Sequence, residues 1–356
     1  MAAKASKVAA MNVLARLLAL LVVALLATAC ATRVQASVVP LPSLPPGPID
    51  IRVAYAVNPR LPRMDARQLE LLLESMQKAV NDHFGVQLRF LPVQVVPISS
   101  LFETIPASRR LDASKNIFDF KSGTGNRRRL DLAFGRGFRQ AGEPLDEMVE
   151  FARPYTGTLS LPDFKTFGTR MAALQLERIE LWRARKALDG GPAIDQEPFN
   201  EFLMWLALGY YGEVPFELVL TNQVIASVEY GWPAVHAAVR GGYSNGITTY
   251  NRRSRFGTMS IWSTYAFTGN DAQLVQLRNG ERYTEEEAAR LAGLSGAHEM
   301  GHQLLHLTHP YGRQACLMSP VPMFSYREWA AKLSASQCPL GSDPAVTPGK
   351  YKGFTY

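Results

Sequence analysis

Residues 298–310 read His298-Glu299-Met300-Gly301-His302-Gln303-Leu304-Leu305-His306-Leu307-Thr308-His309-Pro310. The chain has six histidines in 356 residues, and four of them lie between positions 298 and 309. H-E-x-x-H on a helix sets two imidazoles at i and i+4, about 40° apart around the axis. Both rings can then reach one metal ion, with the glutamate placed beside the water that the metal binds. The spacing therefore points to zinc held by His298 and His302, with Glu299 as a base.

The flanking sequence supports the helix. Thr284-Glu285-Glu286-Glu287 has the form of a capping box, and three carboxylates in the first turn suit the positive end of the helix dipole. From Glu285 to Leu305 there is no proline, although Gly293, Gly296 and Gly301 each weaken an isolated helix. They mark either tolerated positions or close packing of the helix under a sheet.

A catalytic zinc commonly takes three protein ligands. His306 is one further i+4 step along the axis, about 6 Å beyond His302 if the helix continues, which is too far for the same ion. His309 stands past the helix and before Pro310, where the chain can turn back. His309 is thus the expected third ligand, with His306 and a distant residue as alternatives.

With Cys316-Leu317-Met318-Ser319-Pro320 added downstream, the segment resembles the metzincin metallopeptidases, whose pattern is H-E-x-x-H-x-x-G-x-x-H followed by a Met-turn. The resemblance implies His298, His302 and His309 as ligands, Glu299 as general base and Met318 as the methionine beneath the metal. It covers about residues 297–320. The chain departs from the pattern twice: Leu305 stands at the turn glycine, and the last histidine comes one residue late, with Thr308 in its place. Leucine adopts positive φ only at a cost, so the helix is expected to end later than in the family.

The amino terminus carries an export signature. Lys4, Lys7 and Arg16 precede the apolar run from Leu17 to Leu26, which is too short to span a bilayer comfortably. Ala27-Thr28-Ala29-Cys30 resembles a bacterial lipobox, in which the cysteine is lipidated and becomes the first mature residue. Cleavage after Val34-Gln35-Ala36, with soluble export, is the alternative. Cys316 and Cys338 are then the remaining cysteines, and in an oxidising compartment they are expected to pair. The bridge would tie the Met-turn to the carboxy-terminal segment, for about 3 kcal/mol in the chain-entropy model.

Composition excludes little else. Hydrophobic residues make up 47% and charged residues 19% of the chain, in the range of ordinary globular proteins. Loss of Lys4, Lys7 and Arg16 with residues 1–29 lowers the formal charge from +7 to +4, too small an excess to argue for nucleic acid. The basic runs at 126–129 and 252–255 lack interleaved aromatics and read as solvated loops.

Residues 1–29 are therefore read as an export signal, 30–48 as a lipidated cysteine with a proline-rich tether, and 346–356 as a tail. Residues 49–345 are read as a single metallopeptidase domain. Strands are expected at 51–57, 86–96, 216–221, 246–250 and 259–265, with a helix from Asp65 to His83 and a mainly helical insertion at about 105–212. Gly123, Gly125, Gly135 and Gly137 suggest irregular connections within that insertion. The expected class is α+β, with a twisted mixed sheet, a backing helix and an active-site helix.

The functional expectation is an exported zinc endopeptidase acting on peptide or protein substrates. It would be a monomer anchored by lipid in the cell envelope, in the outer membrane facing periplasm or exterior, or else soluble in the periplasm or secreted. Tyr311 and Tyr326 are candidates to steady the oxyanion. The alternatives are an H-E-x-x-H peptidase of another clan with a distant carboxylate ligand, and a non-catalytic lipoprotein stapled by zinc.

Overall fold

The computed structural model describes residues 43–114, 127–141, 144–194, 198–226, 235–321, 324–335 and 338. The chain forms two units, Met1–Val39 and Pro40–Tyr356, and the described residues belong to the second. The export signal, Cys30, the tether up to residue 42 and the tail at 346–356 lie outside the described residues, as do the side chains of the basic run at 126–129.

The chain opens with β1 (Ile49–Ile51), β2 (Val53–Val57), α1 (Ala66–Phe84), β3 (Leu88–Phe90) and β4 (Gln94–Pro97). A helical stretch follows: α2 (Ile98–Glu103), α3 (Ala107–Ser114), α4 (Arg127–Ala141), α5 (Leu145–Thr156), α6 (Phe164–Arg183) and α7 (Phe202–Tyr211). Then come β5 (Leu218–Thr221), α8 (Val235–Val239), β6 (Gly246–Tyr250) and β7 (Thr258–Ser263). α9 (Ala272–Leu277), α10 (Glu285–Leu305) and α11 (Tyr326–Ala330) complete it.

Five strands form one sheet in the order β4-β2-β5-β7-β6. The first four run parallel, and β6 lies antiparallel on β7 at the edge, with Thr248 opposite Ser260. β1 and β3 pair separately, also in parallel. The chain is thus α+β with a mixed sheet, as the sequence leads one to expect.

Period-two alternation dresses the two faces of this sheet. Val53, Tyr55, Val57, Leu218, Leu220 and Trp262 join one apolar cluster with residues of α1 and α10. Ala54, Ala56, Val219, Met259 and Ile261 join the other, with α2 and α7. α1 starts at Asp65, whose carboxylate accepts from the Gln68 N–H at 2.8 Å while the Gln68 amide oxygen accepts from the Asp65 N–H at 2.9 Å. It ends at Gly85 in the left-handed conformation.

The glycines of α10 are explained by packing. A β-carbon at Gly293 would collide with the Leu72 carbonyl of α1, and one at Gly296 would meet Met76 and Trp262. At Gly293 the two helices therefore approach backbone to backbone.

Several boundaries differ from the sequence reading. The first strand is interrupted at Arg52, whose backbone N–H donates to the Glu217 carboxylate at 2.9 Å, so a side chain takes the place of a strand partner. The strand expected over 86–96 divides around Pro92, which has no N–H for a ladder. Gly135 and Gly137 lie inside α4 and not in a connection; Gly168 of α6 packs on the backbone at Gly135, where a β-carbon would clash. The capping box of α10 is half made: Thr284 accepts from the Glu287 N–H at 3.2 Å, but the Glu287 carboxylate is taken by Arg327 at 2.6 and 2.9 Å.

Candidate metal centre

α10 carries His298 and His302 on one face and ends at Leu305. His306 follows with φ +53°, and its N–H donates to His302 O while the Leu307 N–H reaches back to Gly301 O at 3.3 Å. This is a left-handed helix stop built on a histidine where glycine is the usual choice. The turn aims the chain back across the last helical turn. His309 then meets His298 and His302, and each pair of Nε2 atoms is 3.0 Å apart. The structure brings together His298, His302 and His309, and leaves His306 at the corner outside the cluster.

The other ring nitrogens show what this cluster fits. His298 Nδ1 lies 3.0 Å from Leu317 O and His302 Nδ1 2.5 Å from Leu307 O. A carbonyl only accepts, so both Nδ1 atoms carry the proton and both Nε2 atoms present bare lone pairs. Two such lone pairs facing each other at 3.0 Å repel unless a cation lies between them. Three nitrogens about 2.0–2.1 Å from one tetrahedral ion would be about 3.3 Å apart, close to the observed triangle. The donor set therefore suits a metal ion.

Glu299 lies on the sheet side of α10, buried to 6% exposure, and its Oε2 accepts from Thr248 Oγ1 at 2.8 Å. Burial raises its pKa to about 7, against the smaller lowering effect of the Thr248 hydroxyl. Gly246, at the start of the edge strand, makes room for it: a β-carbon there would overlap the Glu299 carboxylate. Ser260 Oγ donates to the Glu299 backbone oxygen at 3.1 Å, and Gln303 Nε2 donates to Glu217 O and Thr258 O at 3.0 and 3.1 Å. These bonds fix the depth and rotation of α10 on the sheet. Burial also holds the His298 and His309 pKa values well below the ordinary imidazole range, which keeps both rings neutral.

Met318 is buried against α10, where a β-carbon at Gly301 would run into its sulfur. Cys316 and Cys338 stand at disulfide distance, with Cα atoms 4.6 Å apart. The bridge borders Leu317, whose carbonyl receives the His298 ring.

The loop carrying His309 rests on the helical stretch. Glu147 of α5 accepts from the Gly312 N–H at 3.1 Å, and Phe151 meets the Tyr311 ring edge-to-face at 5.0 Å. His236 of α8 packs edge-to-face on His309 at 5.0 Å, with its Nδ1 3.0 Å from the Tyr311 hydroxyl. Tyr326, by contrast, is fully buried and its hydroxyl accepts from Asn245 Nδ2.

Thr248, Gly246 and His236 were not singled out from the sequence. Thr248 could have been found from alternation, since Gly246, Thr248 and Tyr250 form the non-apolar register of the β6 segment. His236 belongs to no motif, and only the tertiary fold brings it to the cluster. No protein-family model matches the chain, and neither does any curated protein or solved structure.

Proposed function

We propose that this protein is a zinc-dependent metallopeptidase of metzincin-like type. The observation that carries the reading is the triangle of three Nε2 atoms, two of them with tautomers fixed by backbone carbonyls, beside a buried glutamate with a raised pKa. His298, His302 and His309 would hold the ion, with Met318 packed beneath them. Zinc bound there supplies a Lewis acid that polarises the scissile carbonyl and makes a water molecule acidic near neutral pH.

Glu299 accepts the proton of the attacking water and delivers it to the leaving amine. A carboxyl with a pKa near 7 can both take and release a proton at neutral pH. Thr248 holds one carboxylate oxygen, and the absence of a side chain at Gly246 leaves room for the other. An extended peptide can add to β6, the antiparallel edge strand that borders Glu299.

The departure from the metzincin pattern has a simple form in this reading. The helix is one residue longer, the left-handed position moves from 305 to 306, and the third histidine moves with it from 308 to 309.

Glu299→Gln tests the assignment. Peptide hydrolysis should fall by about 100- to 10,000-fold while zinc per chain, counted by atomic absorption, stays equal to wild type. Turnover above a few per cent of wild type would overturn the role of Glu299. The reading places the enzyme in the cell envelope through a lipid on Cys30. Cys30→Ser should release it from membranes, and a wild-type mature chain beginning at Ser37 without fatty acid by mass spectrometry would remove the anchor.

A further inference from the structure

Four histidines meet at this site, and their hydrogen bonds divide them into two kinds. His298 and His302 place Nδ1 on carbonyl oxygens, which leaves Nε2 bare for a metal. His236 places Nδ1 3.0 Å from a phenol, Tyr311. A phenol is a good donor and a poor acceptor, and a neutral imidazole nitrogen is a good acceptor. With the Tyr311 hydroxyl as donor to Nδ1, the proton of His236 resides on Nε2. The ring has the tautomer opposite to that of a metal ligand of this site, and its second nitrogen is a donor.

Its place fits that chemistry. His236 touches the ring of His309, at 5.0 Å between centroids and 74° between planes, so it is one side chain removed from the metal position. It is partly open to solvent, whereas Tyr311 behind it is only 5% exposed and wedged against Phe151. A residue needed only to pack on His309 would have no use for an oriented Nδ1. One needed to fix the His309 tautomer would direct a polar atom at that ring, and His236 presents a ring edge-to-face contact.

We propose that His236 is a further catalytic residue. It donates its Nε2–H to the carbonyl oxygen of the scissile peptide as negative charge develops there, and Tyr311 is the positioning residue that sets its tautomer. The inference rests on the peptidase reading and adds to it a transition-state contact supplied by α8. Charge-directed donors of this kind act on kcat rather than on ground-state binding.

The test uses the mature zinc-loaded protein and the variants His236→Phe, which keeps a ring against His309, His236→Gln, which restores an N–H donor, and Tyr311→Phe. His236→Phe should lower kcat by about 100- to 1,000-fold with KM changed by less than about threefold and zinc fully retained. Affinity for a phosphinic peptide, a stable tetrahedral anion, should fall by at least about tenfold in the same variant. His236→Gln should recover at least about tenfold of the lost kcat, and Tyr311→Phe should lose about tenfold. Nitrogen-15 NMR of the wild type should show a protonated Nε2 on His236, and a mixture of tautomers in Tyr311→Phe.

Unchanged kcat and phosphinic affinity in His236→Phe would overturn the proposal, as would a wild-type His236 protonated on Nδ1. Zinc loss in both His236 variants, with activity restored by added zinc, would reduce the residue to a support for His309. If His236→Phe does not fold, His236→Gln, Tyr311→Phe and the tautomer measurement decide. A zinc-loaded wild type that cleaves no peptide, with Glu299→Gln indistinguishable from it, would instead defeat the peptidase reading itself.

Discussion

His298 and His302 stand on one helix, and what orients them is close by: Leu307 just past the helix, Leu317 in the turn below, and the sheet face beneath Glu299. His309 stands on the loop beyond, and what orients it comes from far away in the chain. α5 supplies Glu147 and Phe151, and α8 supplies His236. The helix side is stiff because α10 lies against α1 with no side chain between them at Gly293. The loop side rests on aromatic ring contacts, the Gly312–Glu147 hydrogen bond and the His236–Tyr311 hydrogen bond. The histidine cluster thus has a half set by one helix and a half assembled from distant parts of the chain.

Substitutions can break this contrast or sharpen it. The largest effect is expected at the third histidine. His309→Ala should weaken zinc binding by well over 100-fold in a competitive chelator titration, beyond what loss of an outer contact produces. His306→Ala should stay within about tenfold, because its ring is outside the cluster. The reverse ranking would show that the loop, and not the helix turn, has been misassigned. In the same series His306→Gly should leave zinc in place and raise stability by about 0.5–1 kcal/mol, since φ is +53° there.

Gly293→Ala strikes the stiff half. Its methyl would meet the Leu72 carbonyl, which is backbone and cannot swing aside, so the helices must part. A loss of about 2–3 kcal/mol in urea unfolding is expected, at the upper end of overpacking costs. A melting curve unchanged from wild type would mean that α1 and α10 are less closely apposed than described.

The smallest effect should come from the assembled half. Glu147→Ala removes the acceptor of the Gly312 N–H, a single partly exposed hydrogen bond. Zinc affinity should drop by about 2- to 10-fold while the urea midpoint barely moves. Equal losses in both would indicate that α5 supports the whole fold and not the loop.

The same division decides what could be read from the sequence. The helix that carries His298 and His302 was legible because its signals are local: a threonine cap, two histidines at i and i+4, and a run free of proline. The start of α1 at Asp65 was legible for the same reason, an aspartate that caps the first turn. His236 was not legible, since a lone histidine on a five-residue helix carries no pattern, and its value comes from Tyr311, 75 positions later. Arg52 shows the reverse failure: the apolar alternation on either side is that of one strand, and a carboxylate from Glu217 interrupts it. Gly135 looked like a turn residue, and its real partner is the glycine of another helix. Composition cannot distinguish a glycine that bends the chain from one that lets two helices approach.

The left-handed corner at His306 has a consequence for how such sites are measured out along a chain. From the corner to the third histidine is three residues, as in the metzincin pattern; from His302 to the corner is four, where the pattern has three. The spacing that geometry enforces starts at the turn and runs forward, because only that stretch must span the gap back to His298 and His302. The length of helix before the turn is free to vary, provided the residue at the corner can bear positive φ. A pattern counted from the second histidine passes over this chain, whereas one counted from the corner finds it.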